Sequence, residues 1–93
     1  MAHLSHPMKS RVVASFWDDY NRLPNEIQKL AIKQYGLWQT NPRHHSLRFK
    51  KVGLYWSARI TDDYRAVGIW DEDTIIWFFI GTHTEYNRTL KRK

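Results

Sequence analysis

The stretch Leu47–Tyr86, LRFKKVGLYWSARITDDYRAVGIWDEDTIIWFFIGTHTEY, decides the fold of this chain. Apolar and β-prone residues form runs at 55–60, 64–70 and 74–80, and acidic turn residues separate them. The alternation of side chains with a period of two predicts an antiparallel β-meander, which the run 47–51 enters as a first strand. The run 74–80 is apolar on both faces, so we expect it to be the central strand, covered on both sides.

The residues before this stretch predict an edge strand and two helices. Residues 11–14 are β-prone and are expected to join the edge of the meander. Ser15 and Asp18 have the spacing of a capping box, which predicts the start of the first helix. Pro24 suits the first turn of a second helix. The buried stripe of that helix is expected to comprise Ile27, Leu30, Ala31, Tyr35 and Trp38.

The end of the chain predicts a short last helix. Gly81 is expected to end the last strand. Thr82 and Glu85 repeat the capping-box spacing, so the helix is expected to begin at His83. The fold class is therefore α+β, in which an N-terminal edge strand and a helical hairpin pack on an antiparallel β-meander with a short C-terminal helix.

Composition limits the classes of protein. The chain has 93 residues, of which 1–10 are expected to be a mobile leader and 11–93 a single domain. Cysteine is absent, which excludes disulfides and thiolate metal sites and fits a reducing, cytoplasmic location. No apolar run approaches the roughly 18 residues of a membrane span. The net charge of +6 favours phosphate backbones or an acidic protein as partner, although a merely lysine-rich soluble surface would have the same composition.

Arg65 is unusual for its strand, because alternation places it on the side of Val67 and Ile69. An arginine among apolar residues needs a partner or a wet cleft. It could direct its guanidinium at a phosphate and stabilise charge in a transition state. An ion pair with Asp62 or Asp63 would equally explain it.

His83 and Tyr86 are three residues apart, which places them on one face of the last helix in its first turn. A phosphate held at this helix end would have an imidazole and a phenol within reach. The alternative is that Tyr86 and Leu90 dock the helix while His83 is a surface residue.

Four further basic residues surround the same sheet and are candidates for contacts to a nucleic-acid backbone: Arg48, Lys50, Lys51 and Arg59. The pair His44-His45 has no acidic residue at ligand spacing, so we expect neither a metal site nor a cofactor.

The run Tyr55–Val67 resembles the R-I-x-x-x-[HY]-R-[LA]-V core of the RelE/ParE toxin superfamily, and Gly81–Tyr86 is similar to the G-[ST]-H-x-x-Y tail of a RelE-like branch. The resemblance covers about residues 12 to 90. It implies a toxin of a type II toxin–antitoxin module. RelE-like members of the family cut mRNA on the ribosome without a metal, whereas ParE-like members inhibit DNA gyrase.

The resemblance also implies roles for individual residues. Arg65 matches the strand arginine that contacts the scissile phosphate, and His83 matches the C-terminal histidine that acts as acid or base. In the most similar branch a tyrosine directly follows that histidine, whereas Tyr86 comes three residues later. The glutamate base of that branch has no counterpart, and His45 and Ser46 stand near its place.

The resemblance therefore implies a ribosome-dependent, metal-independent mRNA endoribonuclease that inhibits translation. Its expected partners are a cognate antitoxin, the ribosome and mRNA, with operator DNA bound only through the antitoxin complex and no membrane. The alternatives are a ParE-like gyrase inhibitor without enzymatic activity, and a catalytically inert protein that binds only an antitoxin and operator DNA.

Overall fold

A computed structural model describes residues 9–91 of the chain. Its elements, in chain order, are β1 (Lys9–Val12), α1 (Ala14–Asn21), α2 (Asn25–Thr40), a 3-10 helix (His45–Leu47), β2 (Lys50–Val52), β3 (Tyr55–Thr61), β4 (Tyr64–Asp71), β5 (Thr74–Thr82) and α3 (His83–Lys91). The strands form one sheet in the order β1-β5-β4-β3-β2, in which only β1 and β5 are parallel. The predicted α+β architecture, with its edge strand, helical hairpin, meander and last helix, is confirmed.

The start of the chain differs from the prediction in its boundaries. β1 begins at Lys9, inside the predicted leader, and the rest of that leader lies outside the described residues. The capping box predicted at Ser15 is wrong, because α1 begins at Ala14 and no side chain caps it. The backbone N–H of Val13 donates to the carbonyl of Trp77 (3.2 Å), so sheet pairing extends to the residue before the helix. Ser15 therefore lies inside the first turn.

Two boundaries in the meander, and the identity of its central strand, also differ from expectation. Residues 45–47 form a 3-10 helix and Arg48 has a left-handed backbone (φ 43°), so β2 begins only at Lys50. Gly81 does not end β5, because the strand continues to Thr82, which pairs with Tyr64 of β4. β4, not β5, is the central strand of the sheet.

The main core lies between the helical hairpin and one face of the sheet. Ala31 and Trp38 of α2 are buried as predicted, but Leu30 and Tyr35 are more than a third exposed. Gln34 is buried in their place, because its side-chain amide donates to a backbone carbonyl of β3 (3.2 Å). The buried stripe thus runs through 31, 34 and 38, and Leu30 and Tyr35 flank it. An apolar cavity of about 230 Å³ remains between the hairpin and the sheet.

The last helix covers the other face of the sheet. Alternation along β4 places Ala66 in the main core and Val67 on the opposite side. Val67 is fully buried and Tyr86 of α3 is only 7% exposed, yet neither belongs to the main core. Since α3 contacts β4 and β5, these two residues lie in a second, smaller apolar layer. The face that carries Arg65 is therefore the face on which α3 lies.

No helix within residues 9–91 is both long and apolar enough to cross a membrane.

Candidate functional site

The turn between β3 and β4 connects the elements that carry the candidate site. The backbone N–H of His83, the first residue of α3, donates to the carbonyl of Asp63 (2.7 Å). Arg65 follows the same turn, and its Nη1 donates to three backbone carbonyls, those of Thr61, Asp62 and Tyr64. The turn thus holds the start of α3 and the Arg65 guanidinium at one end of the sheet.

Arg59 and Arg65 are neighbours across β3 and β4. The Asp62 carboxylate pairs with Arg59, whose Nε and Nη2 both donate to Asp62 Oδ1 (3.2 and 2.8 Å). Asp62 therefore forms its ion pair with Arg59 and not with Arg65. Within the described residues Arg65 donates only to backbone carbonyls, and its Nε and Nη2 have no protein acceptor.

Three arginines, Arg48, Arg59 and Arg65, act on one carboxylate, and we call them the arginine cluster. The hydrogen bond and the charge of Arg59 lower the pKa of the Asp62 carboxyl from its usual value, and the charges of Arg48 and Arg65 lower it further. Three positive charges against one carboxylate leave an excess of positive charge, which attracts an anion.

The two lysines of β2 lie on opposite faces of the sheet. Lys50 pairs with Ser57, which has the same orientation along β3 as Arg59. Lys51 pairs with Trp56, whose side chain packs against the main core. Both lysines are exposed. Of these two lysines, only Lys50 therefore shares a face of the sheet with Arg59 and Arg65.

The start of α3 has the predicted capping box. The N–H of Glu85 donates to Thr82 Oγ1 (3.2 Å), and the N–H of Thr82 donates to Glu85 Oε1 (2.9 Å). The rings of His83 and Tyr86 are stacked, with centroids 5.4 Å apart. His83 is exposed and Tyr86 is buried. Tyr86 therefore docks the helix and supports the imidazole, which is open to a ligand.

The segment before β2 approaches the arginine cluster through its backbone. Nη1 of Arg59 donates to the carbonyl of Ser46 (3.4 Å). His44 Nδ1 accepts from the N–H of Ser46 (3.1 Å), and the His44 and His45 rings stack at 4.6 Å. Within residues 9–91 no group of three or more His, Cys, Asp or Glu side chains could hold a metal ion.

Sequence reasoning treated Asp62 as a turn residue or a partner of Arg65, and missed its pairing with Arg59. The two residues stand three apart across a tight turn, a spacing that allows a pair but does not select it over the alternative. The contact of Arg59 with the Ser46 carbonyl left no signal in the sequence.

No model of a known protein family and no curated protein matches the chain. Solved structures match its fold. A YoeB/ParE toxin from Agrobacterium tumefaciens is 21% identical, with a TM-score of 0.64 over 82% of this chain and 99% of that chain. A chain of the toxin–antitoxin complex RelBE2 from Mycobacterium tuberculosis is 18% identical, with a TM-score of 0.64 over 83% of this chain and 99% of its own length.

A third match belongs to the RelB–RelE antitoxin–toxin complex from Methanococcus jannaschii, at 19% identity and a TM-score of 0.63 over 85% of this chain and 96% of that chain. The chain therefore has the architecture of small toxins from toxin–antitoxin complexes. More particularly, it has the RelE-like fold, and the resemblance found in the sequence is confirmed at the level of the fold.

Proposed function

We propose that this protein is a RelE-like toxin of a type II toxin–antitoxin system and cleaves mRNA on the ribosome. The attachment of Arg65 and His83 to the same turn carries the proposal. Backbone carbonyls at the turn between β3 and β4 accept hydrogen bonds from the Arg65 guanidinium. The carbonyl of Asp63 in the same turn accepts one from the backbone N–H of His83. A restrained cation and an exposed imidazole on one turn are the two groups that phosphodiester cleavage requires.

The proposed reaction is attack of a ribose 2′-hydroxyl on the adjacent phosphate. The new bond joins the 2′-oxygen to phosphorus, and the bond from phosphorus to the 5′-oxygen breaks. His83 accepts the proton of the 2′-hydroxyl and returns it to the leaving 5′-oxygen. Arg65 faces the phosphate with its Nε and Nη2 and stabilises the charge of the transition state. Tyr86 positions the imidazole by stacking.

Backbone contacts of the RNA would involve the arginine cluster together with Lys50, which lies on the same face of the sheet. Lys51 lies on the other face of the sheet, which makes it a candidate for ribosomal contacts only. Guanidinium groups suit phosphates because they donate two parallel hydrogen bonds.

The proposed physiological partner is a small acidic antitoxin that covers the basic face and restrains the toxin. Two structures with this fold come from complexes of a toxin with its antitoxin, which supports the proposal. Operator DNA would be bound only through that complex. A cytoplasmic location follows from a ribosomal substrate.

Induced expression without antitoxin, followed by mapping of mRNA 5′ ends, tests the proposed function. New 5′ ends within translated codons are expected. In single-turnover cleavage on programmed ribosomes, we expect His83→Gln to reduce the rate more than Tyr86→Phe, with ribosome binding kept in both. Intact mRNA together with inhibited DNA supercoiling would instead identify a ParE-like gyrase inhibitor.

A further inference from the structure

Asp62 places a carboxylate at the arginine cluster, the surface proposed to bind phosphates. A single oxygen, Oδ1, accepts from both Nε and Nη2 of Arg59, and 87% of the Asp62 side chain is exposed. A guanidinium binds carboxylate and phosphate oxygens with the same planar set of donors. The free protein thus already has an anion bound at its arginine cluster, supplied by its own chain.

We propose that the Asp62 carboxylate is an internal substitute for an RNA phosphate, which holds Arg59 in place in the free protein and is displaced when a backbone phosphate binds the arginine cluster. The inference rests on the proposed function in one respect, the choice of RNA as ligand. Through Asp62, the turn between β3 and β4 controls the affinity of the protein for RNA.

The contacts of the two arginines allow such an exchange. Arg59 keeps a second contact, from Nη1 to the Ser46 carbonyl, when the carboxylate leaves. Among residues 9–91, Arg65 is held by backbone carbonyls alone, one of which belongs to Asp62 itself. Loss of the carboxylate contact therefore leaves both guanidinium groups restrained.

The ion pair is also weak enough to be exchanged. The Arg59 side chain is 25% exposed, but the Asp62 side chain is 87% exposed. Because water solvates the carboxylate and salt screens its charge, the pair contributes only a modest net free energy. The Asp62 side chain is almost entirely exposed and can turn into solvent without burying its charge. A polyanion that brings several phosphates to the same surface has the advantage over one carboxylate.

The sign of the effect of Asp62→Asn on RNA binding decides the proposal. If the carboxylate competes with phosphate, its removal tightens binding, by about two- to fivefold at low salt, the range for an exposed charge pair. If Asp62 only holds Arg59 in position, its removal weakens binding. Asp62→Glu keeps the charge and should bind RNA as the wild type does.

Asp73→Asn is a matched control. Asp73 is also an exposed turn carboxylate (70% exposed) and pairs with a cation, Lys9, at 2.9 Å. It lies beside Thr74, at the end of β5 opposite to Thr82 and the turn between β3 and β4. This variant has the same net charge as Asp62→Asn, so any difference between them reports the local effect and not the total charge.

The measurement is binding of a short 2′-O-methyl single-stranded RNA, followed by fluorescence anisotropy over a series of salt concentrations. Tighter binding by Asp62→Asn than by Asp73→Asn, with a difference that shrinks as salt rises, supports the proposal. Equal or weaker binding overturns it. If the wild type binds no RNA, binding gained by Asp62→Asn supports the proposal and continued absence of binding overturns it.

Cleavage on programmed ribosomes is recorded separately with the same proteins. Absence of cleavage in all of them contradicts the proposed nuclease function and leaves the binding comparison to decide the role of Asp62. Cleavage by the wild type with no gain in affinity for Asp62→Asn contradicts only the displacement. The two failures are therefore distinguishable.

Discussion

Replacement of Gly68 by alanine tests the packing that underlies the site. Gly68 lies on β4, where the register with β5 shifts between Val67 and Gly68. A Cβ atom there would lie 2.9 Å from the backbone oxygen of Ile76, 3.0 Å from Ile75 Cγ1 and 3.0 Å from Trp77 Cε3. These distances are shorter than van der Waals contact, and the Ile75 and Trp77 side chains are buried in the core.

The cost follows from what can move. The Ile76 oxygen belongs to the backbone of a strand inside the sheet, so relief requires a shift of β5 against β4. Overpacking of this kind costs about 1–3 kcal/mol. The lower entropy of an alanine chain in the unfolded state offsets about 0.4–1 kcal/mol of this. We expect a net loss of about 1–2 kcal/mol, which lowers the Tm by about 5–15 °C in a domain of this size.

Gly36→Ala is the matched control for Gly68→Ala. Gly36 is exposed in α2, and a Cβ atom there would meet no atom within 4 Å. Because alanine is the better helix former, this variant should gain about 0.5–1 kcal/mol. Thermal and urea denaturation of the purified proteins would measure both. A Gly68→Ala protein as stable as the wild type would refute the packing argument.

Three further predictions concern the site. Arg65→Ala should lower the cleavage rate about 10²–10³-fold while circular dichroism shows a folded protein, since one charge contact to the transition state is lost; a folded variant with full activity would contradict its role. Lys50→Ala should flatten the salt dependence of RNA binding by about one unit, and Lys51→Ala should leave it unchanged, because only Lys50 shares a face of the sheet with Arg59 and Arg65; equal slopes would disprove this assignment. The pKa of Asp62 should lie below 3.8 in a carboxyl NMR titration and should rise in Arg59→Ala. Because this pKa is depressed by folding, the ion pair is present at neutral pH and its small contribution to stability is lost only as the pH falls through the folded-state pKa; an unchanged pKa in Arg59→Ala would show that the pair does not form.

Local signals in the sequence predicted the elements that local interactions determine. The alternation in 55–60 and 64–70 located β3 and β4 to within a residue at each end. The capping box of Thr82 and Glu85 located the start of α3. At Ser15 the same spacing failed, because pairing of Val13 with β5 determined where α1 begins.

In the candidate site, the sequence predicted on which side of the strand Arg65 lies, but not which residue pairs with Asp62. Alternation alone identified the side of the strand on which Arg65 lies, because its position on β4 is fixed by the strand period. Which cation Asp62 neutralises depends on the turn, and the register between β3 and β4 shifts between Arg59 and Thr61. With that shift the carboxylate meets Arg59, and Arg65 turns back onto the carbonyls of the turn. Within residues 9–91 Arg65 hydrogen-bonds no carboxylate, and the carbonyls that bind its Nη1 do not neutralise its charge. A restrained guanidinium without a carboxylate partner is the state in which a phosphate gains most from binding it.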